Sequence, residues 1–124
     1  MQPKSQVGRI GEDIAVNYLL KHKFKILARN VFVKNGEIDI IAQKDSAINF
    51  FEVRSTTRKF NDFNSILELI SRFKLYKLAR TVRSYIFKNP VIYEHEIKIL
   101  FIFIGRASAL IFEIPLSKLK GCLD

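Results

Sequence analysis

Cysteine and long apolar runs are scarce in this sequence of 124 residues, and each scarcity excludes a class of protein. The single cysteine, Cys122, excludes an internal disulfide and a metal cluster built from cysteines. The longest apolar run, residues 97–104, is interrupted by Lys98 and is far shorter than the ~20 residues that span a bilayer. Residues 1–5 lack the apolar core of a signal peptide. We therefore expect a cytoplasmic protein without a membrane-spanning helix.

Two common catalytic patterns are missing as well. The sequence has no glycine-rich phosphate-binding loop, and its serine, histidine and aspartate residues do not follow the spacing of a nucleophile motif. Of the 2 histidines, His22 lies among lysines and His95 precedes a predicted strand, so we expect neither to be catalytic. Catalysis, if there is any, must therefore depend on carboxylates and basic side chains.

Acidic residues are few compared with basic ones. Lysine and arginine number 21 against 12 aspartates and glutamates, which gives a formal net charge of +9. Such an excess on a small domain favours an anionic partner, with nucleic acid first and a membrane surface second. The 48% of hydrophobic residues and the lack of linkers or repeats predict one folded domain over residues 1–124.

Hydrophobic periodicity predicts an α+β fold in the order α-β-β-β-α-β-β, with a mixed sheet flanked by helices. The predicted helices are 5–22 and 65–88, and the predicted strands are 30–34, 37–42, 48–54, 96–104 and 109–114. Asn35-Gly36 predicts a type I′ turn between the first two strands. Ser65 and Glu68 predict a capping box, and Asn89-Pro90 predicts the end of the long helix.

Residues 36–54 place acids on an otherwise apolar hairpin. If the loop is symmetric about the Asp45–Ser46 bond, Asp39 lies opposite Glu52 and Glu37 lies opposite Arg54, all on one side of the sheet. Two opposed carboxylates repel each other. A bound cation, a shared proton or Arg54 must offset that repulsion, and the residues alone leave these alternatives open.

A divalent cation is the alternative with chemical consequences. Mg²⁺ or Mn²⁺ binds one or two carboxylates together with water and substrate phosphate. Asp39 and Glu52 could supply the carboxylates, and the carbonyl of Val53 a third oxygen. Glu12 lies at the margin of the apolar face of the first helix, where either a site role or stabilisation by the helix macrodipole fits the pattern.

Several of these stretches together resemble the YraN-type family of uncharacterised bacterial proteins. The matching residues are Gly8-Arg-Ile-Gly-Glu12, Ala15, Tyr18-Leu19, Ile26-Leu27, Asn30, Gly36-Glu-Ile-Asp-Ile-Ile-Ala42, Phe51-Glu-Val-Arg54, Lys74, Leu78, Ala79, Tyr85 and Ile86. The resemblance covers residues 8 to 88 and implies a restriction-endonuclease-like fold of the PD-(D/E)XK type.

The resemblance also implies roles for individual residues. Asp39 resembles the metal-binding aspartate, Glu52 the acid of the Glu-X-Lys element, and Glu12 the acid of the first helix that approaches the metal-bound waters. Arg54 stands where the family has lysine, and unlike lysine it keeps its proton. Thr56 stands where the family has an arginine, and His95-Glu-Ile-Lys98 replaces the expected Arg-Phe-Asp.

Basic residues outside the hairpin are candidates for nucleic-acid contact, because the long helix carries six of them against the single Glu68. The candidates are Arg58, Lys59, Lys74, Lys77 and Arg80. A plain connector at 55–64 and a solvated helix face are the alternatives. No base-reading element is visible, so we expect recognition of the backbone or of DNA shape.

Three hypotheses follow. In the first, a Mg²⁺-dependent endo- or exodeoxyribonuclease uses Asp39 and Glu52 as metal ligands, Glu12 to orient a water, and Arg54 to stabilise phosphate charge. In the second, the domain binds nucleic acid, most simply DNA, without cleaving it. In the third, Glu37 and Arg54 belong to a structural charge network. The oligomeric state stays open, although two cuts in a duplex would favour a dimer.

Overall fold

The computed structural model describes residues 6–34, 36–55, 70–106 and 108–115. These ranges contain helices α1 (Gln6–Lys21) and α2 (Arg72–Lys88), a 3₁₀ helix (Pro90–Glu94) and strands β1 (Lys25–Val33), β2 (Gly36–Lys44), β3 (Ala47–Ser55), β4 (Glu96–Ile104) and β5 (Ala109–Glu113). The predicted α+β class and element order are confirmed. None of the helices in these ranges is long and apolar enough to cross a membrane.

The five strands form one mixed sheet in the order β1-β2-β3-β4-β5. Neighbouring strands are antiparallel except β3 and β4, which are parallel. A parallel pair requires a crossover connection, and α2 lies within the chain that joins β3 to β4. This crossover brings a basic helix back over the acidic hairpin.

The two helices cover opposite faces of the sheet. On α1, Ala15 and Leu19 pack in one core cluster with Phe51 of β3. On α2, Leu78 and Val82 pack in the other cluster, which contains Phe50, the neighbour of Phe51 in the chain. Successive side chains on a strand point to opposite faces, so both faces of β3 are covered. The apolar run of β4 is likewise buried from residue 99 to residue 104, as a central strand requires.

The first strand is longer than predicted. It begins at Lys25, whereas the prediction placed its start at Asn30. The register shifts between Ile26 and Ala28, and Asn30 has a positive φ of 53°. A bulge and a left-handed residue disturb the two-residue alternation, and the edge position leaves much of the strand exposed. For these reasons the hydrophobic pattern of the sequence did not predict the first half of β1.

The turn between β1 and β2 also differs from the prediction. Val33 pairs with Gly36, so Gly36 is the first residue of β2 and cannot be a central residue of a type I′ turn. Asn35 lies outside the described residues. Gly36 has a φ of 152°, and a Cβ built there would lie 2.8 Å from Oγ1 of Thr81 on α2. Glycine is required here by its backbone angle and by the close approach of the helix.

Helix α2 is described from Arg72, with Ser71 as its N-cap: Oγ of Ser71 accepts a hydrogen bond of 3.2 Å from the backbone N–H of Lys74. The prediction of one continuous helix over 65–88 is therefore wrong, because residues 70 and 71 are not helical and Ser71 has an extended backbone. The capping box of Ser65 and Glu68 and the predicted loop residues 56–64 lie outside the described residues. The predicted end is confirmed. The backbone N–H of Asn89 donates to the Ile86 carbonyl across 3.0 Å, which closes the last turn.

Candidate active site

The acidic hairpin has the predicted register. Paired residues run from Lys44 opposite Ala47 to Ile40 opposite Phe51, and Ile41 lies opposite Phe50. Asp45 has a φ of 55° at the turn. The ladder ends at Ile40 and Phe51, and Asp39 and Glu52 are the next residues along the two strands.

At that step a side chain joins the two strands. The backbone N–H of Val53 donates a hydrogen bond of 2.8 Å to Oδ2 of Asp39. An ionised acceptor strengthens such a bond. The bond orients the Asp39 carboxylate and ties it to the strand that carries Glu52. Val53 turns its own side chain toward the core under α1.

The carboxylates open into a cavity of about 370 Å³ between the hairpin and α2, called the site cleft below. Its lining residues are Gly36, Glu37, Asp39, Glu52, Arg54, Phe73, Lys74, Lys77, Leu78 and Thr81. The structure thus brings together five of the predicted residues, which are Asp39, Glu52, Arg54, Lys74 and Lys77. They come from β2, β3 and α2.

The charges in the site cleft are mixed. Glu37, Asp39 and Glu52 contribute carboxylates from the sheet, while Lys74 and Lys77 contribute ammonium groups from α2. Arg54 donates from Nη2 to Oε1 of Glu52 at 3.1 Å along the same strand. The positive charge of Arg54 therefore offsets part of the repulsion between the carboxylates of Asp39 and Glu52. A bound cation would have to offset only the remainder.

Glu12 does not line the site cleft. Its side chain is only 3% exposed, and it lies on the helical stripe of Ala15 and Leu19, which packs on the opposite face of the sheet from α2. The macrodipole alternative does not apply, since the effect fades within the first turn and α1 has no acid there. Burial of a carboxylate is costly, and the role of Glu12 in the reaction stays a prediction.

The basic candidates divide into three groups. Lys74 and Lys77 line the site cleft. Arg80 faces a different cavity, with its guanidinium 5.6 Å from the centre of the Tyr76 ring. Arg58 and Lys59 lie outside the described residues. Of the three candidates within the described residues, two therefore line the same cavity as the carboxylates.

Of the other five lining residues, Glu37 was named only in the charge-network hypothesis and Leu78 was expected only in the core stripe of the helix. Sequence reasoning gave no site role to the remaining three, which are Gly36, Phe73 and Thr81. A signal for two of them was present, because residues three and four apart share a face of a helix. Phe73 precedes Lys77 by four residues, and Thr81 follows it by four. Thr81 is 2% exposed, and its Oγ1 donates a hydrogen bond of 2.8 Å to the Lys77 carbonyl. The position of Gly36 depends on the turn, which was predicted wrongly.

Comparison with known proteins identifies the family. The model of the uncharacterised protein family UPF0102 matches residues 11–104. A UPF0102 protein of Flavobacterium johnsoniae is 36% identical over 101 residues, which is 82% of this chain and 80% of that protein. The chain belongs to the UPF0102 family. This is the YraN family that the sequence motifs resemble.

Two further UPF0102 relatives have similar matches. One from Campylobacter jejuni subsp. jejuni is 41% identical over 93 residues, covering 75% of this chain and 80% of the relative. One from Clostridium tetani is 42% identical over 86 residues, covering 69% of each. The UPF0102 match includes the hairpin, α2 and β4, and it ends before β5. The charged residues that line the site cleft thus all lie within the UPF0102 region.

The side chains of the site cleft suit a hard divalent cation. Asp39 and Glu52 offer oxygen ligands, which Mg²⁺ and Mn²⁺ prefer. In the described ranges, no group of three or more histidine, cysteine, aspartate or glutamate residues is arranged to hold a metal. A Mg²⁺ site does not require one, since water and phosphate commonly complete its coordination. The donor set of this UPF0102 protein therefore fits the predicted cofactor.

Proposed function

We propose that this protein is a metal-dependent nuclease that hydrolyses phosphodiester bonds in DNA. The observation that carries the proposal is the site cleft, where Asp39 and Glu52 on the sheet face Lys74 and Lys77 on α2. A phosphodiester is an anion that needs cationic groups around it and a polarised attacking water. Residues 8 to 88 resemble the YraN-type family, which implies a fold of the PD-(D/E)XK type, and this implied fold supports the same reaction.

The acidic wall is suited to hold the cation. Asp39 and Glu52 would bind Mg²⁺ or Mn²⁺, and the carbonyl of Val53 is the proposed third protein oxygen. When bound, the metal would polarise the phosphate and lower the pKa of a bound water. The 2.8 Å bond from the Val53 N–H holds Asp39 in place before any ligand arrives. Preorganisation of this kind keeps a ligand set within the tolerance of catalysis.

The basic wall is suited to hold the substrate. Lys74 and Lys77 lie one turn apart on α2 and present their charges to the same opening. A guanidinium is a donor of hydrogen bonds and a cation, so the proposed part of Arg54 is to stabilise charge on the phosphate. It cannot serve as the base that a lysine at this position would provide. Glu12 does not line the site cleft, so it has no assigned role in this proposal.

A second candidate is a nucleic-acid-binding domain that does not cleave. Arg54 favours it in two ways: it replaces the family lysine, and it pairs with Glu52 at 3.1 Å. An ion pair of this kind competes with a metal for the same carboxylate. The net charge of +9 supports binding under either candidate.

Cleavage assays separate the two candidates. Purified protein is incubated with linear, flapped and branched DNA in Mg²⁺ or Mn²⁺, alongside Asp39→Asn as the matched inactive control. A nuclease cuts at least one substrate, and the variant does not. If nothing is cut in either metal while DNA is still bound without metal, the non-cleaving candidate is correct. Absence of both cutting and binding would contradict both candidates.

A further inference from the structure

A second cavity of about 380 Å³ lies beside the C-terminal half of α2. Its lining residues, called the basic groove below, are Lys34, Arg80, Arg83, Ser84, Phe87 and Lys88. Four of the six carry positive charge, and none of the described residues that line it is acidic. The basic groove therefore differs from the site cleft, in which carboxylates face the cations.

An exposed aromatic residue lies at each cavity. Phe73 lines the site cleft and is 74% exposed, and Phe87 lines the basic groove and is 81% exposed. Both belong to α2, whose buried stripe is formed by other residues, including Leu75, Leu78 and Val82. Packing against the sheet therefore does not account for either phenylalanine.

The two phenylalanines are connected by one stripe of the helix. Phe73, Lys77, Arg80, Ser84 and Phe87 follow one another at intervals of four, three, four and three residues, which keeps them on one side. Their separation of 14 residues corresponds to about 21 Å along the helix axis at ~1.5 Å per residue. The stacking of Arg80 over Tyr76 holds a cation near the middle of this stripe.

We propose that this stripe binds a single strand of nucleic acid, with one base stacked on Phe73 and another on Phe87 and the backbone along Lys77 and Arg80. Proteins that bind single strands combine a cationic groove with aromatic platforms, since every base has a face that can stack. A length of ~21 Å matches about six stacked nucleotides at ~3.4 Å each. A duplex, whose bases are already stacked on each other, could not use the phenylalanines.

The inference deepens the proposed function and rests on it in taking nucleic acid as the ligand. It assigns a substrate class, which is DNA with a single-stranded segment, such as a flap or an unpaired end. The single-stranded DNA would run along α2 from the basic groove at Phe87 to the site cleft at Phe73, where it would reach the carboxylates. Recognition would depend on the unpaired state and not on base sequence.

The test measures binding without cleavage, in EDTA, with fluorescent oligo(dT) and an abasic strand of equal length. Phe87→Ala should weaken binding of oligo(dT) about 5- to 150-fold, the effect expected for one stacked base. It should leave binding of the abasic strand unchanged, because that strand keeps the charge and lacks the bases. Phe87→Trp should restore affinity, and Tyr93→Ala is the control, since Tyr93 is 66% exposed and lies outside both cavities.

Several results would overturn the inference. Phe87→Ala could bind oligo(dT) as tightly as the wild type, or could lose equal affinity for both strands. Sedimentation could show that Phe87 holds two copies of the chain together, or binding could be confined to duplex DNA or to vesicles of anionic lipid. Failure of the nuclease proposal is a separate result, seen as lack of cleavage by a protein that still binds oligo(dT) through Phe87.

Discussion

The backbone N–H of Val53 lies 2.8 Å from Oδ2 of Asp39 and donates a hydrogen bond to it. One carboxylate therefore has two functions: it joins β2 to β3 beyond the pair Ile40–Phe51, and it is the proposed metal ligand. Substitutions of Asp39 must separate the loss of the hydrogen bond from the loss of charge. Asp39→Asn removes the charge and keeps an acceptor for the hydrogen bond, whereas Asp39→Ala removes both.

Asp39→Asn should keep stability and lose metal binding. The asparagine carbonyl still accepts from Val53, whereas Asp39→Ala leaves that N–H without an acceptor and should cost about 1–2 kcal/mol of unfolding free energy. In Mn²⁺ at 100 times its Kd, the wild type should gain about 2.7 kcal/mol, and both variants should gain much less. Urea denaturation with and without metal measures both effects. A full metal-dependent gain in Asp39→Asn would contradict the proposed ligand.

Arg54→Lys should raise cleavage and hardly change stability. Lysine can give up its proton in a desolvated site and activate water, whereas arginine cannot. The ion pair between Arg54 and Glu52 is partly exposed, at 40% and 26% for the two side chains, so its loss should cost no more than about 1 kcal/mol. Single-turnover cleavage measures the rate.

Arg54→Gln is the matched control, because it removes the charge and keeps a polar side chain. If Arg54 stabilises phosphate charge, this variant should cleave about 100-fold more slowly than the wild type. Equal rates for wild type, Arg54→Lys and Arg54→Gln would show that Arg54 takes no part in the reaction.

Lys77→Ala should weaken binding of single-stranded DNA uniformly across sequences and reduce its salt dependence. Removing one lysine–phosphate interaction lowers the slope of log K against log salt by about 0.7 for a single strand. Titrations at several salt concentrations, in EDTA, give the slope. Lys21→Ala is the control, since Lys21 is an exposed lysine on α1, the helix on the opposite face of the sheet. Identical slopes for the two variants would rule out binding of phosphate by Lys77.

Gly36→Ala should destabilise the protein by about 1–3 kcal/mol, because φ at this position is 152° and alanine is strained there. Its Cβ would also meet Oγ1 of Thr81 at 2.8 Å. Thr81→Ala removes the contact between that Cβ and Oγ1 and leaves the strain of the backbone angle. In that background Gly36→Ala should therefore destabilise less, but still measurably, in urea denaturation. A neutral effect in either background would contradict the strain.

The hairpin could be predicted from residues 36–54 because its loop is short and symmetric. A two-residue turn fixes the register, and side-chain alternation then fixes which residues share a face. The pairing of Ile41 with Phe50 confirms this reasoning. The same rules failed for β1, where the shift between Ile26 and Ala28 breaks the alternation on which they depend.

Helix periodicity in α2 could be read in the same way, but its N-terminal limit could not. The predicted cap was Ser65, which lies outside the described residues, whereas the helix that begins at Arg72 is capped by Ser71, whose Oγ accepts from the N–H of Lys74. Periodicity also identifies which residues of α2 share a face without identifying what lies opposite that face. Phe73 and Thr81 were missed for this reason.

By itself, the sequence determined that Asp39 and Glu52 lie on one side of one hairpin, because a local turn and the two-residue period of a strand decide this. Only the tertiary structure decided that Lys74 and Lys77 complete the site cleft while Arg80 faces the basic groove. These two relations depend on the crossover between the parallel strands β3 and β4, and on the rotation of α2 about its axis, which is set by the packing of Leu78 and Val82 against the sheet. The tertiary structure also decided that Glu12 is buried on α1, the helix on the other face of the sheet, because Ala15 and Leu19 of that helix pack there.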